Sequence, residues 1–563
     1  MVKIKQWFQN LSALNRRRVI VASVLGLLLI ASCVILNNTG SPTEGDALKY
    51  KKSYDAGNRK RLPTEYFAQV YLWKACAINA GILGTLLLTS PLWVGWLSQR
   101  KEKPEPKKTS ARPSKRGWII LGIGLLIGLS MRLPLMERQL LFDEQDNLRR
   151  SFHGYVDIKK DGEHWIGASW QDTFFENRQG NNPPLFGVLS RAFVDTWRAI
   201  TGGAKDTFNL WIMRLPSLLA GMLAIFVVWR FIHRLGMPVA AGIVVFFFAL
   251  HPLAIDYSTQ ARGYGLVMLF ASLSLLCGYR AVTEGTWKMW IAYALSQTAM
   301  MWSYPGSLYL PLAMNALLGI YFLTRWFKKG DRAGTTKFAL ANVLSLMLLL
   351  QVMLPVLVQA QRFLTEKFAK GEHHLEWGLM MWNGCTVGCN IPGPAWWNSA
   401  LPGKRDFPKF FFEDYLGGMP LLADFALIII PALVVTGLFL LRRENKIALL
   451  LLGAGLISPF LSVLHHKYIT HLWIYHWYVI FVLPFIFIAV SIALSSIKIK
   501  HRYSPVIAAS VFLVLFVIAV KTPLPALPGT IYKSRPELSE INRPGYVYKI
   551  TKEGRMTREK APK

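Results

Sequence analysis

Long apolar stretches, each close to the length of a bilayer crossing, constrain this chain more than any other feature of its sequence. A hydrocarbon core about 30 Å thick takes roughly 20 apolar residues of helix, and backbone groups inside it must be satisfied within the segment. About thirteen stretches meet that requirement, near residues 18–36, 69–97, 117–135, 212–232, 237–255, 263–282, 286–303, 305–324, 338–358, 421–441, 447–464, 477–496 and 504–520. With 53% hydrophobic and only 17% charged residues in 563 positions, the chain carries more apolar surface than a soluble core hides. The expected fold class is all-α, a polytopic transmembrane helical bundle.

Charge supplies direction. The formal net charge is +32, gathered in Arg16-Arg17-Arg18, the run from Arg100 to Arg116, Lys328-Lys329 and Lys498 to Arg502. Such charge would also suit a nucleic-acid partner, but blocks at the ends of spans are what the positive-inside rule requires, so no nucleic acid is expected. A cytoplasmic N-terminus puts the basic loops 98–116, 230–236, 325–337, 442–446 and 497–503 inside. Loops 136–211 and 359–420 and the basic tail 521–563 then lie outside. Residues 184–200 are excluded as a further span. Leu185, Val188, Leu189, Phe193, Trp197 and Ile200 share one helical face while Arg191, Asp195 and Arg198 recur on the other. That pattern reads as an external amphipathic helix on the membrane surface; as a span it would turn Arg230, His233 and Arg234 outward.

The organisation follows: an N-terminal hairpin of spans (1–97), a basic Lys/Pro/Glu/Ser-rich cytoplasmic linker (98–116), a central module (117–325) carrying loop 136–211, a C-terminal membrane region (326–520) carrying loop 359–420, and the tail. The basic start and first apolar run also resemble a signal peptide, and Ile30-Ala31-Ser32-Cys33 suits a lipoprotein cleavage box. The length of both parts favours an uncleaved anchor.

Candidate chemistry lies in the outer loops. Asp143 and Glu144 stand just beyond the third span, where adjacent carboxylates can form a base or hold a divalent cation; the plain alternative is that they complement a helix dipole. Cys385 and Cys389 form a disulfide only in an oxidising compartment, and a zinc site lacks two further ligands at a recognised spacing. Trp165, Trp170, Phe174, Phe175, Trp377, Trp382, Trp396 and Trp397 suit stacking on sugar or anchoring at headgroups. Among basic groups, arginine suits phosphate through its fork, and His465, His466, Lys467, His471 and His476 form a cluster among interfacial aromatics.

Several motifs occur in a telling order: Asp143-Glu144 after a span, Asn182-Pro183-Pro184-Leu185 opening the amphipathic helix, Arg214-Leu215-Pro216-Ser217 opening the next span, and Tyr257-Ser258-Thr259-Gln260-Ala261-Arg262-Gly263-Tyr264 at a later external turn. Together they resemble the polyprenyl-phosphate-sugar-dependent glycosyltransferases of the GT-C superfamily, including protein O-mannosyltransferases and lipid A aminoarabinose transferases. The likeness covers roughly 117–325 well and continues more loosely to about 496. It implies a GT-C-like fold and an inverting hexosyl- or pentosyltransferase, with Asp143 as catalytic base and Glu144 beside it. Arg149, Arg150, Asn182, Arg262 and His476 are then donor or phosphate contacts. Two adjacent like charges near lipid would push one carboxyl pKa upward. Three positions depart from the family: Gln260 replaces an acid, leaving Asp256 as candidate second acid; Asn182 replaces a His or Lys; and His476-Trp477-Tyr478 replaces an Arg-Tyr pair.

The resemblance also implies partners, namely a polyprenyl-phosphate-linked sugar, membrane lipids and an extracytoplasmic lipid, glycan or protein acceptor, at a bacterial-type inner membrane with the site facing outward. No cofactor is required, and a divalent metal stays open. The rival readings are a transporter or flippase of lipid-linked sugars and a non-catalytic subunit retaining the fold. Transporters place charges near the middle of spans, whereas here they cluster at span ends and in loops, and no Walker or dinucleotide signature occurs.

Overall fold

The structure is a computed structural model that describes residues 11–39, 41–59, 61–98, 113–138, 140–178, 180, 182–366, 375–388, 412–413, 416–418, 420–472, 474–497, 504–519, 541–543, 546–551 and 554–560. A helix lies over each of the expected spans. Among the described residues, ten helices are long and apolar enough to cross a membrane, from Ala13–Thr39 to His476–Ser495, which makes the chain a multi-pass membrane protein. The count of about thirteen is thus not reproduced. Pro238–Leu250 and Val506–Val517 are apolar but shorter, and Trp287–Ser303 has 17 residues. The first of these stops early because the chain turns at His251, extended at ψ 124, before Pro252 opens a new short helix.

Inside the bundle, the Tyr264–Glu284 and His476–Ser495 helices are enclosed by the others, while Ala13–Thr39 has no buried residue and turns Leu27 outward. Small residues allow the close contacts. A Cβ on Gly437 would lie 2.1 Å from the Ala489 carbonyl oxygen, and one on Gly455 2.0 Å from the Phe485 ring. The N-terminal hairpin is seated on the bundle, for Thr64–Leu97 packs against Arg332–Glu366 and Asn79 Nδ2 donates to the Met347 carbonyl at 3.0 Å.

The amphipathic helix forms over Pro184–Thr201, with Pro184 in its first turn and Gly202 (φ 68) ending it. Its charged stripe is not solvated as expected. Arg191 donates to Thr173 Oγ1 (2.7 Å), and Arg198 donates to the Thr207 carbonyl (2.8 Å) and to His153 Nδ1. The face turned away from the protein carries Ile200, 80% exposed.

A five-stranded sheet stands beside this helix and was not expected in an all-α chain. Strands β1 (Gly154–Lys159) and β2 (Gly162–Gly167) are a hairpin of loop 136–211; β3 (Ile541–Arg543), β4 (Tyr546–Ile550) and β5 (Met556–Lys560) come from the tail. The order is β2-β1-β5-β4-β3, with β1 and β5 parallel through Val156–Thr557 and Asp157–Arg558 and the other pairs antiparallel. Arg558 forks onto the Asp157 carboxylate, and Arg555 Nε donates to Asp206 Oδ2 at 2.6 Å. Loop and tail therefore lie on one side of the bundle, joined in one sheet.

Candidate functional site

The loop after the third long helix is built around Glu144. Asp143 and Glu144 open the short helix Phe142–Asn147, and neighbouring residues on a helix project about 100° apart. Glu144 turns inward and is fully buried. Arg214, equally buried, grips it in a fork, Nε to Oε1 at 3.1 Å and Nη2 to Oε2 at 2.9 Å. The Leu141 amide donates to Oε2 at 2.8 Å and the Ala261 amide to Oε1. A carboxylate offers about four acceptor positions, and here all four are used. Burial raises the Glu144 pKa, but Arg214 and these donors together hold it below the ordinary carboxylate range. At Glu144 the direction is thus opposite to the upward push expected of adjacent like charges, because Glu144 answers to Arg214.

Asp143 turns to Arg262. Its side chain is 45% exposed, and its Oδ2 lies 3.5 Å from Nη1 of Arg262, whose side chain is 6% exposed. Burial works against the Arg262 charge, but Asp143, Tyr264 and Tyr478 together outweigh it and shift the pKa upward. Three consecutive residues fix this arginine. The Ala261 amide is held by Glu144, and the Arg262 carbonyl accepts from Ser217 Oγ at 2.7 Å. Gly263 fits where any Cβ would lie 2.4 Å from the Ser303 carbonyl oxygen and 2.9 Å from the Pro183 side chain. The motif glycine thus serves close approach of three elements.

Arg262 opens into a cleft whose wall is formed by Gly180, Asn182, Pro183, Tyr264, Ser303 and Tyr304. Asn182 donates through Nδ2 to the Glu176 carbonyl, and its buried Oδ1 has no hydrogen-bond partner among the described residues. Arg262 Nη2 reaches the Tyr264 hydroxyl at 3.4 Å. The rings of Tyr264 and Tyr304 lie 5.6 Å apart and those of Tyr304 and Tyr478 5.5 Å apart. Burial pushes the Tyr304 pKa well up, so its hydroxyl stays protonated. Tyr475 follows, raised by burial and then by the charge of Asp143.

The remaining expected residues separate from this cleft. Asp256 is paired with Arg138, which also donates to the Asp256 carbonyl at 3.1 Å, and its Oδ2 accepts from Gln260 at 2.7 Å. Arg149 and Arg150 both reach Asp146 Oδ1, at 2.6 and 3.2 Å, and line a different recess. His476 is buried against Gly384, with its carbonyl accepting from Cys385 Sγ at 3.7 Å. Cys389 lies outside the described residues, and with it the proposed disulfide. His465 and His466 gather on the Tyr309 hydroxyl, at 2.6 and 3.3 Å.

Of the aromatics, Trp170 lies under Arg191 (4.4 Å), Phe174 stacks on Trp302 (6.1 Å) and Trp165 packs on His153 (4.9 Å). Trp382 donates to the Ala426 carbonyl. Trp396, Trp397 and the Trp377 side chain lie outside the described residues. Among the described residues, no three His, Cys, Asp or Glu side chains converge as a metal would require.

Sequence reading missed Arg138 and passed over Ser217. The signal for Arg138 was indirect: acids as buried as Asp256 require a counter-charge nearby. Arg214 was legible as a charge at the mouth of an apolar run.

Residues 199–358 match the family model described as dolichyl-phosphate-mannose-protein mannosyltransferase. They include Arg214, Asp256, Arg262 and Tyr304 and begin after Asp143. No match was found among curated proteins. Among solved structures, the oligosaccharyltransferase AglB of Archaeoglobus fulgidus aligns at TM-score 0.40 and 12% identity, over 74% of this chain and 55% of that one. ArnT of Cupriavidus metallidurans bound to undecaprenyl phosphate aligns at 0.41 and 15%, over 73% and 66%. The arabinosyltransferase EmbB of Mycobacterium smegmatis aligns at 0.39 and 13%, over 75% and 34%. The chain thus spans about half the length of the archaeal enzyme. Over residues 199–358 the chain is similar to the dolichyl-phosphate-mannose-protein mannosyltransferase family, which is the resemblance its ordered motifs carry.

Proposed function

We propose that the chain is a membrane glycosyltransferase that moves a sugar from a polyprenyl phosphate to an acceptor hydroxyl on the extracytoplasmic face, with inversion. The observation that carries this reading is the half-exposed Asp143 carboxylate set against the nearly buried Arg262 at the cleft. The description of the matched family, which names a lipid-phosphate-linked mannose donor, supports it.

In this mechanism the acceptor oxygen attacks the anomeric carbon from the face opposite the phosphate. Asp143 takes the hydroxyl proton as the new glycosidic bond forms and the bond to phosphate breaks, and the lipid phosphate leaves with the electron pair. Positioned proton transfer of this kind contributes about 10² to 10⁴ in rate. Arg262, with its planar fork, meets the charge growing on the leaving phosphate. The loose 3.5 Å contact lets it serve both anions. Asn182 supplies a neutral contact where relatives carry His or Lys, and Tyr264 and Tyr304 add further neutral contacts in the cleft.

The test is transfer from radiolabelled polyprenyl-phosphate sugars in membranes containing wild type or Asp143→Asn. The variant is expected to lose at least about 10²-fold in rate with its folded yield unchanged. Equal transfer by both would sink the assignment of the base. Lipid translocation across vesicles without any transfer would put a flippase in its place.

A further inference from the structure

Arg149 and Arg150 line a recess of about 300 Å³ on the outer side of the chain, together with Arg61 and Arg178. That volume is at the lower end for small-molecule sites, about 300 to 1,000 Å³. Three separate parts of the sequence build it. Arg61 comes from the stretch preceding the Thr64–Leu97 helix, Arg149 and Arg150 from the turn after Asp143, and Arg178 from the loop leading to Asn182. Tyr155 of β1 completes one wall. Arg178 Nη2 donates to Thr64 Oγ1 at 3.2 Å, so the N-terminal hairpin is part of the construction.

The recess carries more basic than acidic side chains. Asp172 and Glu176 line it beside the four arginines, and Asp146 is shared by Arg149 and Arg150. Burial pushes the Glu176 pKa up, which favours its neutral form. Arg178 Nε lies 3.8 Å from Glu176 Oε1, beyond hydrogen-bond reach. Among the described residues, the Nε groups of Arg149 and Arg178 are buried without a hydrogen-bond partner. An anion placed in the recess would meet the side chains of Arg61, Arg149, Arg150 and Arg178 that line it.

Position says which anion. Glu176 and Arg178 line this recess, while Gly180 and Asn182, a few residues on, line the Arg262 cleft. Arg149 and Arg150 stand six and seven residues beyond Asp143 along one helical run, about 10 Å at helical rise. A donor phosphate at Arg262 leaves the recess free, at a distance that a glycan-sized acceptor bridges.

We propose that the recess is an acceptor-anion subsite, binding a phosphate or carboxylate group of the acceptor while a hydroxyl of the same molecule is presented to Asp143. This rests on the glycosyltransferase reading, but its test uses binding and is legible without transfer.

The full-length protein in nanodiscs is treated with phenylglyoxal, and labelling of Arg61 and Arg178 is read by mass spectrometry. Inorganic phosphate is expected to slow labelling of both, and polyprenyl phosphate is not. Arg61→Gln/Arg178→Gln is expected to weaken phosphate binding about tenfold or more, with Arg61→Lys/Arg178→Lys recovering part of it and polyprenyl-phosphate binding unchanged. Labelling that phosphate leaves unchanged overturns the subsite, even if the double variant fails to fold. Protection by polyprenyl phosphate overturns it in favour of a donor site.

Discussion

Exchanging Glu144 for Gln separates two roles that adjacency in the sequence would merge. The substitution keeps the shape and removes the charge. Arg214 retains its bonds to the Met136 and Arg138 carbonyls, at 2.9 and 2.8 Å, but its fork then meets a neutral amide. Two of the four donors now aimed at the carboxylate must then face an NH₂ group. Removing one partner of a buried ion pair costs about 3–5 kcal/mol, a large part of the roughly 5–15 kcal/mol that holds a typical domain. Asp143→Asn removes an acid that is nearly half-exposed and 3.5 Å from its partner, and about 0–1 kcal/mol is the expected loss. Size-exclusion recovery after heating in detergent, run beside transfer activity, reads both. Glu144→Gln should melt well below wild type and Asp143→Asn close to it, with transfer falling at once only in the latter. In Glu144→Gln/Arg214→Gln the two losses should couple by more than about 1 kcal/mol. The reasoning is refuted if Glu144→Gln melts with wild type while abolishing transfer, or if the two substitutions are additive.

His153, buried beside Arg198, has its pKa pushed down to about 3 by burial and then by that charge. The unfolded chain binds a proton near the ordinary 6.5, so the associated stability is complete above about pH 6.5 and is lost as pH falls toward 3, by about 1.4 kcal/mol per unit. Melting of His153→Gln should therefore depend less on pH between 6.5 and 5; an unaltered profile would remove His153 as its source. Gly263→Ala drives a methyl against the Ser303 carbonyl and Pro183, an overpacking of about 1–3 kcal/mol that displaces Arg262. Transfer should fall further than thermal stability, and a fully active variant would show that the turn tolerates displacement. Arg558→Ala removes a charged fork on Asp157 and its contacts with the Tyr155 and Tyr546 rings, at 5.1 and 4.6 Å. Bonds to charged groups are worth about 1.5–3 kcal/mol each, so limited trypsin should release residues 541–560 faster, and an unchanged rate would mean the sheet holds without this pair.

The helices were legible because their causes are local. Bilayer length sets the apolar runs, Pro184 and Gly202 mark the ends of the amphipathic helix, and Asn209 caps the next one by accepting from the Trp211 and Ile212 amides. The sheet was not, because β1 and β5 pair residues some four hundred positions apart. Its halves did carry signals, in Asp161-Gly162 at the hairpin and in the alternation Tyr546-Val547-Tyr548-Lys549-Ile550. For Pro184–Thr201 the period gave the faces but not what covers them, so a stripe expected at the water or headgroup surface is enclosed by Thr173, His153 and Thr207. The same limit applies to Asp143 and Glu144. Only the packing of Arg214 and Arg262 reveals that one carboxylate is held by four donors and the other remains accessible.

The departures from the family pattern are coherent with this packing. An acid at position 260 would stand where Gln260 now donates to Asp256 Oδ2, setting a second carboxylate against the one that Arg138 already neutralises. Like charges at that distance repel strongly in a buried setting, so the amide keeps the Arg138–Asp256 pair balanced while anchoring the turn that leads to Arg262. Asn182 acts similarly: its amide spans to the Glu176 carbonyl, where a lysine would bring a further cation close to Arg262. With amides at both positions, Asp143 and Arg262 form a charged pair beside the cleft, while Arg61, Arg149, Arg150 and Arg178 line the separate recess. On the reading proposed above, such a site would lean on Arg262 for the donor phosphate and offer the other four arginines to the molecule that receives the sugar.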